Sequence, residues 1–222
     1  VQILYEDNHI LAVNKSVETL VQGDKSGQRS LQQELKSYIK VRDQKPGNVY
    51  LGIVHRLDKP VSGVTIFAKT SKAAGRLSTL FRDKQVDKFY CAMSELRGDY
   101  FQERDSWQEI RVFLRRIKDK TVVCGPDSPG ARESILIKRT VQFNNYLLHL
   151  IKLVTGRKHQ IRAQLSALGE SIIGDVKYGG RRLDPEQGIR LHALCCGFRH
   201  PVRDDRIVIF AAPPDSFFDG MR

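Results

Sequence analysis

The chain has 222 residues, of which 41% are hydrophobic and 28% charged, which supports a packed core and excludes disorder of the chain as a whole. Lysine and arginine outnumber aspartate and glutamate to leave a net charge of +12, a surplus that points to a polyanionic partner. No apolar run approaches the ~20 residues of a membrane span, and residues Val1 to Asn14 lack the basic-then-apolar pattern of a signal peptide, so a cytoplasmic protein without membrane contact is expected.

No repeat, low-complexity block or long Pro/Gly/Ser linker interrupts the sequence, which predicts a single domain over 1–222. The chain begins at Val1 without a Met, as a trimmed chain would. Ile3 to Tyr5 and His9 to Asn14 read as strands joined by the polar turn Glu6-Asp7-Asn8. Ser30 opens a helix in which Gln33 completes a capping box and Leu31, Leu35, Tyr38 and Ile39 recur at helical spacing. Val49 to Leu57 and Val64 to Ala68 read as strands, with Asp58 to Gly63 as the loop between them. Ser71 caps a helix that carries Ala74, Leu77, Leu80 and Phe81 on one face and ends near Lys84, before the strand Phe89 to Met93. The stretch from Arg97 to Arg132 is the least readable. Ile135 to Phe143 and Tyr146 to Val154 form a hairpin across Asn144-Asn145. A turn at Thr155-Gly156-Arg157 leads into a short helix with Ile161, Leu165 and Leu168 inward and Gly169 at its end. Leu191 to Phe198 and Ile207 to Ala211 close the sheet. Strands meeting through short turns, with helices inserted between them, predict an α+β fold built on a largely antiparallel sheet with flanking helices.

Four cysteines in a chain of this size do not make a disulfide scaffold, so Cys91, Cys124, Cys195 and Cys196 read as reduced thiols. His192, Cys195, Cys196 and His200 are all zinc-ligand types, but adjacent cysteines are poorly spaced for one ion, since paired ligands normally lie about two to four residues apart. No metal is expected. There is no Gly-rich phosphate loop ending in Lys-Ser/Thr, no His-Glu-x-x-His and no Gly-x-Ser-x-Gly, which removes the usual signatures of nucleotide hydrolysis, metalloproteolysis and serine hydrolysis. His55-Arg56-Leu57-Asp58 superficially resembles a kinase catalytic loop, but the aspartate comes one place late and no Asn follows it at the required distance.

Polar residues concentrate at two strand ends, in His55-Arg56-Leu57-Asp58-Lys59-Pro60-Val61-Ser62-Gly63 and in Thr155-Gly156-Arg157-Lys158-His159-Gln160-Ile161-Arg162. Both segments resemble signature motifs of the RluA-type pseudouridine synthases, which convert uridine in RNA to its C5-linked isomer. The resemblance runs through nearly the whole chain in order. Tyr5-Glu6-Asp7 with Val13-Asn14-Lys15 is similar to the opening motif, and Lys88-Phe89-Tyr90-Cys91-Ala92 to a Lys-x-Tyr-x-Ala strand. The segment Gly169 to Tyr178 and the closing Leu191-His192-Ala193 and His200-Pro201 pairs are similar as well. The resemblance implies a pseudouridine synthase fold with a central RNA-binding cleft, no cofactor, ribosomal or transfer RNA as partner, a monomer with no obligatory protein partner, and no N-terminal S4-type domain. It implies Asp58 as the catalytic carboxylate, Tyr90 against the target base, Arg162 paired with the aspartate, and Arg56 in flipping the base. Lys15, Arg157 and Gln160 are candidate RNA contacts, and His55 and His159 read as structural or RNA-contacting hydrogen bonders.

The chemistry fits those residue types. Isomerisation breaks the N1–C1′ bond, turns the uracil and joins C5 to C1′, with no net redox change or group transfer. A carboxylate can act as nucleophile or stabilise positive charge on the sugar, and an adjacent arginine favours its ionised form. A phenol over the ring can relay the C5 proton and stack on the base. The glycosidic bond is hidden in stacked RNA, so the nucleotide must be extruded, and a basic surface gripping phosphates accounts for the charge. Taken without their flanking patterns, Asp58 reads as turn chemistry, Tyr90 as half-buried core and Arg162 as surface charge. A binding module without turnover and a zinc-dependent nucleic-acid hydrolase are the competing functions. The opening motif departs from the family: Ser16 stands where Pro is usual and Glu18 where Gly is usual, and Val61 replaces a common Thr.

Overall fold

The computed structural model describes residues 1–25, 27–96 and 106–219. Its elements are β1 (Gln2–Glu6), β2 (Ile10–Lys15), α1 (Leu31–Arg42), β3 (Gly52–Ile53), β4 (Ser62–Ala68), α2 (Ser71–Arg82), β5 (Asp87–Glu95), β6 (Gln108–Ile117), β7 (Lys120–Cys124), β8 (Arg132–Phe143), β9 (Tyr146–Leu153), α3 (Gln160–Ala167), β10 (Leu191–Arg199) and β11 (Arg206–Phe210). The fold is α+β. It divides into two compact units, Val1–Val86 with Leu194–Ala212, and Asp87–Ala193 with the residues from Pro213 onward.

In the first unit the strand order is β1-β2-β4-β10, with β11 on β10 and β3 on β4. The pairs β1–β2, β2–β4, β3–β4 and β10–β11 are antiparallel. Alternate side chains of a strand face opposite sides, and here both sides are covered. Ile10, Ala12, Val64, Ile66 and Ala68 pack with Ala73 and Leu77 of α2, while Leu11, Val13 and Phe67 pack with Leu31, Leu35 and Ile39 of α1. The helix α1 starts as predicted, with the capping box of Ser30 and Gln33 formed, but Tyr38 is exposed because Leu31, Leu35 and Ile39 already fill the inward stripe. The cap of α2 is Thr70, not Ser71: Thr70 has extended backbone and its hydroxyl accepts from the Ala73 N–H at 3.2 Å, the geometry an N-cap needs.

The predicted strand Val49 to Leu57 is reduced to Gly52–Ile53, which pair with Ala68 and Phe67. Beyond that point a side chain replaces the backbone ladder: the Ile66 N–H donates to Nε2 of His55 at 2.9 Å. The turn after β1 is closed by Asp7, whose carboxylate accepts from the N–H groups of His9 and Ile10 and from His200 Nε2 at 2.7, 2.8 and 2.9 Å. Nδ1 of His200 accepts from the backbone N–H groups of Val202 and Arg203, which fixes its proton on Nε2.

In the second unit β5-β9-β8-β6-β7 are neighbours in that order and all antiparallel. The hairpin β8–β9 turns at Asn144 with φ 50°, as its sequence predicts. The segment without a clear pattern contains the hairpin β6–β7, whose two-residue turn Lys118-Asp119 places Lys118 at φ 52°. Its first residues, 97–105, lie outside the described residues. Leu114, Ala163 and Tyr178 form a small core where α3 meets β6. In α3, Ile161 and Leu165 are buried as predicted, whereas Leu168 is exposed, because the helix has already ended at Ala167 and Gly169 at φ 77° carries the chain away. Among the described residues no helix is long and apolar enough to cross a membrane.

Candidate active site

The loop that follows β3 carries His55, Arg56 and Asp58. His55 lies flat on Phe81 of α2, ring centroids 4.7 Å apart, so this imidazole anchors the loop to the helix while its Nε2 serves β4. Arg56 is exposed and donates from Nη1 to Gln22 Oε1 at 3.0 Å. Leu57 is buried between them and Asp58 is half-buried. The carbonyl of Asp58 accepts from the Val61 N–H at 3.1 Å, closing a turn that returns the chain into β4 through Gly63 at φ 115°. That φ lies outside the range ordinary residues adopt, which explains the glycine that ends the His55 to Gly63 segment.

Lys15 ends β2 and points inward, 1% exposed. Its ammonium donates to the backbone carbonyls of Ser16, Thr19 and Lys59 at 2.9, 2.9 and 3.0 Å. Burial pushes the group down to about 7, against the pull of the negative charges on Glu18 and Asp58. The loop it grips is the one that departs from the family motif. Glu18 adopts φ 58°, a left-handed conformation that costs a non-glycine residue about 1–2 kcal/mol. Its carboxylate is 3.2 Å from Nζ of Lys59, and Ser16 Oγ is 3.0 Å from Thr19 Oγ1 across the loop.

In the second unit Tyr90 sits half-buried on β5 opposite Ile151 of β9. Cys91 beside it is core, its thiol pushed up to about 12 by burial. The segment after β9 is held by side chains that read as polar surface in the sequence. Gln160 is 2% exposed; its Oε1 accepts from the Thr155 hydroxyl at 2.8 Å and the Arg157 N–H at 3.0 Å, and its Nε2 donates to the Ile135 carbonyl at 3.1 Å. These bonds bend Thr155-Gly156-Arg157 into a tight turn and leave Arg157 and Lys158 exposed at its tip. His159 stands at the N-cap position of α3 at φ 53° without a side-chain cap, and hydrogen-bonds through Nδ1 to the Tyr178 hydroxyl at 2.9 Å.

Arg162 is 6% exposed and is gripped side-on by Asp175, with Nε to Oδ2 at 2.7 Å and Nη2 to Oδ1 at 2.8 Å. The guanidinium also lies over the Tyr178 ring, 5.0 Å from its centroid. Asp175 and Tyr178 were not singled out by the sequence, although both belong to the segment that resembles the family after α3. The signal was the glycine at 180: a Cβ there would lie 1.9 Å from the Ile172 carbonyl oxygen, so the backbone folds back tightly around Asp175. A second buried polar group pairs Lys138 with Glu170, and His149 bonds Ser94 and Thr140 at 2.8 and 3.0 Å.

The expected RNA contacts therefore separate by placement. Arg56 and Arg157 are exposed, whereas Lys15 and Gln160 bond inward and shape the backbone on which the others stand. Among the described residues no three or more His, Cys, Asp or Glu side chains are grouped to hold a metal ion. Cys196 packs in the first unit's core, and His200 is engaged by Asp7.

The sequence model of the RNA pseudouridylate synthase family matches residues 9–167, which include Lys15, the Asp58 loop, Tyr90 and Arg162. The chain is 32% identical to the tRNA pseudouridine synthase C of Pasteurella multocida, over 98% of this chain and 93% of that protein. It is 31% identical to the ribosomal large subunit pseudouridine synthase C of Vibrio parahaemolyticus, over 94% of this chain and 64% of that protein. The fold is similar to that of the human RNA pseudouridylate synthase domain containing 4, with a TM-score of 0.76 at 23% identity, covering 97% of this chain and 90% of the other. The chain belongs to the RNA pseudouridylate synthase family, in its RluA-type branch.

Proposed function

We propose that this protein isomerises specific uridines of transfer or large-subunit ribosomal RNA, with Asp58 as the catalytic carboxylate. The observation that carries this reading is the Asp58 turn: a half-buried carboxylate whose own carbonyl and whose neighbour's carbonyl are both held, by the Val61 N–H and the Lys15 ammonium. A carboxylate carried on a backbone fixed in this way can meet the positive charge that develops at C1′ as the N1–C1′ bond breaks. The detached uracil turns, C5 joins C1′, the proton on C5 departs and N1 gains one, so the product is an isomer and nothing is consumed. In this reading Tyr90 takes part in moving the C5 proton, Arg162 contributes positive charge to the reaction, and Arg56 helps extrude the base. The exposed cations Arg157 and Lys158, with the overall charge of +12, serve the phosphates.

The matched family segment draws on both compact units, which supports treating them as one catalytic domain. The relatives' names and the chain's basic charge support RNA as the partner, and the full reading is a monomeric, cytoplasmic RNA enzyme. The test is tritium release from transcripts of transfer and large-subunit ribosomal RNA labelled at uridine C5. Asp58→Asn keeps the shape and removes the anion, so release should vanish while RNA affinity stays within about threefold. Wild-type release by Asp58→Asn would remove the catalytic assignment and leave an RNA-binding module.

A further inference from the structure

We propose that Glu18 is a positioning residue for the reaction: it holds the Lys59 ammonium at the rim of the Asp58 loop, so that Lys59 braces the loop and does not serve as an RNA contact. The proposal rests on the reading of Asp58 as the catalytic carboxylate. Three observations converge on Lys59. Its Nζ lies 3.2 Å from Glu18 Oε2, its carbonyl accepts from Lys15 Nζ at 3.0 Å, and that same Nζ binds the carbonyls of Ser16 and Thr19 on either side of Glu18. The residue next to Asp58 is therefore tied to one short segment, 15–19: its backbone to Lys15 and its side chain to Glu18.

Glu18 itself occupies a left-handed backbone position, φ 58°, where glycine is the residue without strain. Its carbonyl accepts from Gln28 Nε2 at 3.1 Å, which holds the backbone in that conformation. The ion pair is 43% exposed at Lys59 and 39% at Glu18, and exposed pairs of this kind add little to folding stability. Its consequence is consequently geometric and local. A lysine beside the catalytic carboxylate of a polyanion-binding enzyme would otherwise turn to the nearest phosphate and draw the loop with it; the Glu18 carboxylate satisfies it first.

The experiment measures kcat and KM on the C5-tritiated transcripts for the full chain carrying Glu18→Gln, Glu18→Gly, Lys59→Gln and the double change Glu18→Gln/Lys59→Gln, with Asp58→Asn alongside. Glu18→Gln retains the strained backbone and loses only the charge, and should lower kcat on the order of 10-fold while KM stays level or falls as Lys59 is released to phosphate. Lys59→Gln should lower kcat by a similar factor, and the double change should be no worse than either alone, because both act through one contact. Glu18→Gly relieves the strain, so its Tm should be equal to or above that of the wild type while kcat still falls. The reciprocal exchange Glu18→Lys/Lys59→Glu restores the pair with reversed sign and should recover kcat to within about threefold. A wild-type kcat in Glu18→Gln, additive losses in the double change, or a kcat loss that tracks a lowered Tm in Glu18→Gly would each overturn the proposal. If Asp58→Asn retains turnover, the reading of the loop fails and this proposal with it; if Asp58→Asn is inactive and Glu18→Gln is normal, only the role of Glu18 fails.

Discussion

Nζ of Lys15 lies 3.0 Å from the carbonyl oxygen of Lys59, so a buried cation at the end of β2 grips the backbone one residue beyond Asp58. Three carbonyl acceptors match the three N–H bonds of an ammonium, while burial opposes its charge and brings its titration down to about 7 from 10.5. Between those two values the unfolded chain carries the proton and the folded chain does not, so unfolding takes up a proton and stability rises with pH. The unfolding free energy of the wild type minus that of Lys15→Met should therefore climb by up to about 1.4 kcal/mol per pH unit from about pH 7 to 10 and be flat below that window. Urea unfolding across this range measures it, and the subtraction removes the other alkaline groups. A flat difference throughout would show that Lys15 stays charged in the fold.

Lys15 also shows where sequence reasoning stops. Nothing local in the sequence marks a lysine at the end of a strand as buried; the hint is that Ile10 to Val13 are apolar on both faces, which means both faces of β2 are covered. The burial of Gln160 is hidden for the same reason, since a polar residue that bonds inside a turn has the same letter as one that faces solvent. Elements with local signals were legible: the Ser30 capping box, the Asn144-Asn145 hairpin, the apolar stripe of α2 and the glycine that ends α3. The hairpin β6–β7 was missed because its turn, Lys118-Asp119, lacks the Asn-Gly or Asp-Gly pair that announces such turns. The strand expected at Val49 to Leu57 failed because pairing is a tertiary matter, and a histidine side chain took the place of its ladder. The site motifs were legible by resemblance, and the partner of Arg162 was not, because Asp175 becomes adjacent only through a backbone fold that Gly180 permits.

The Arg162–Asp175 pair gives a stability prediction that separates its scaffold role from its chemistry. Both groups are almost fully buried, so Asp175→Ala takes from a desolvated guanidinium the carboxylate that bridges its Nε and Nη2, and should cost about 3–5 kcal/mol. Arg162→Lys should also be destabilising, because an ammonium cannot bridge both carboxylate oxygens as Nε and Nη2 do. Urea denaturation of the variants checks this. A loss below about 1 kcal/mol in Asp175→Ala would mean that water or another anion replaces the carboxylate.

Arg56 stands apart from the buried cations because it is exposed and bonded to Gln22 at 3.0 Å. An arginine that only touches phosphate contributes to binding and to the salt dependence, about one unit of slope in log K against log salt. An arginine that helps extrude the base contributes to turnover. Arg56→Ala should reduce kcat more than RNA affinity, and should do so least on a transcript in which the target uridine is already unpaired. Equal losses on paired and unpaired substrates, with a reduced salt slope, would make Arg56 a phosphate contact.

Tyr90 offers the clearest division between steps of the reaction. The ring lies on β5, half-buried and opposite Ile151, so Tyr90→Phe preserves packing and the face available for stacking on a base while removing the hydroxyl. If the phenol relays the C5 proton, Tyr90→Phe should bind RNA normally and still break the N1–C1′ bond, yet release tritium from C5 about 10²-fold or more slowly than the wild type. Rearranged uridine that has not lost its C5 proton should then accumulate on the RNA, detectable by nuclease digestion and mass analysis beside the tritium assay. Tyr90→Leu removes the ring as well, and should weaken binding of the extruded base in addition. Wild-type tritium release by Tyr90→Phe together with a defect in Tyr90→Leu would assign Tyr90 to stacking alone, and the proton would have to leave by another group.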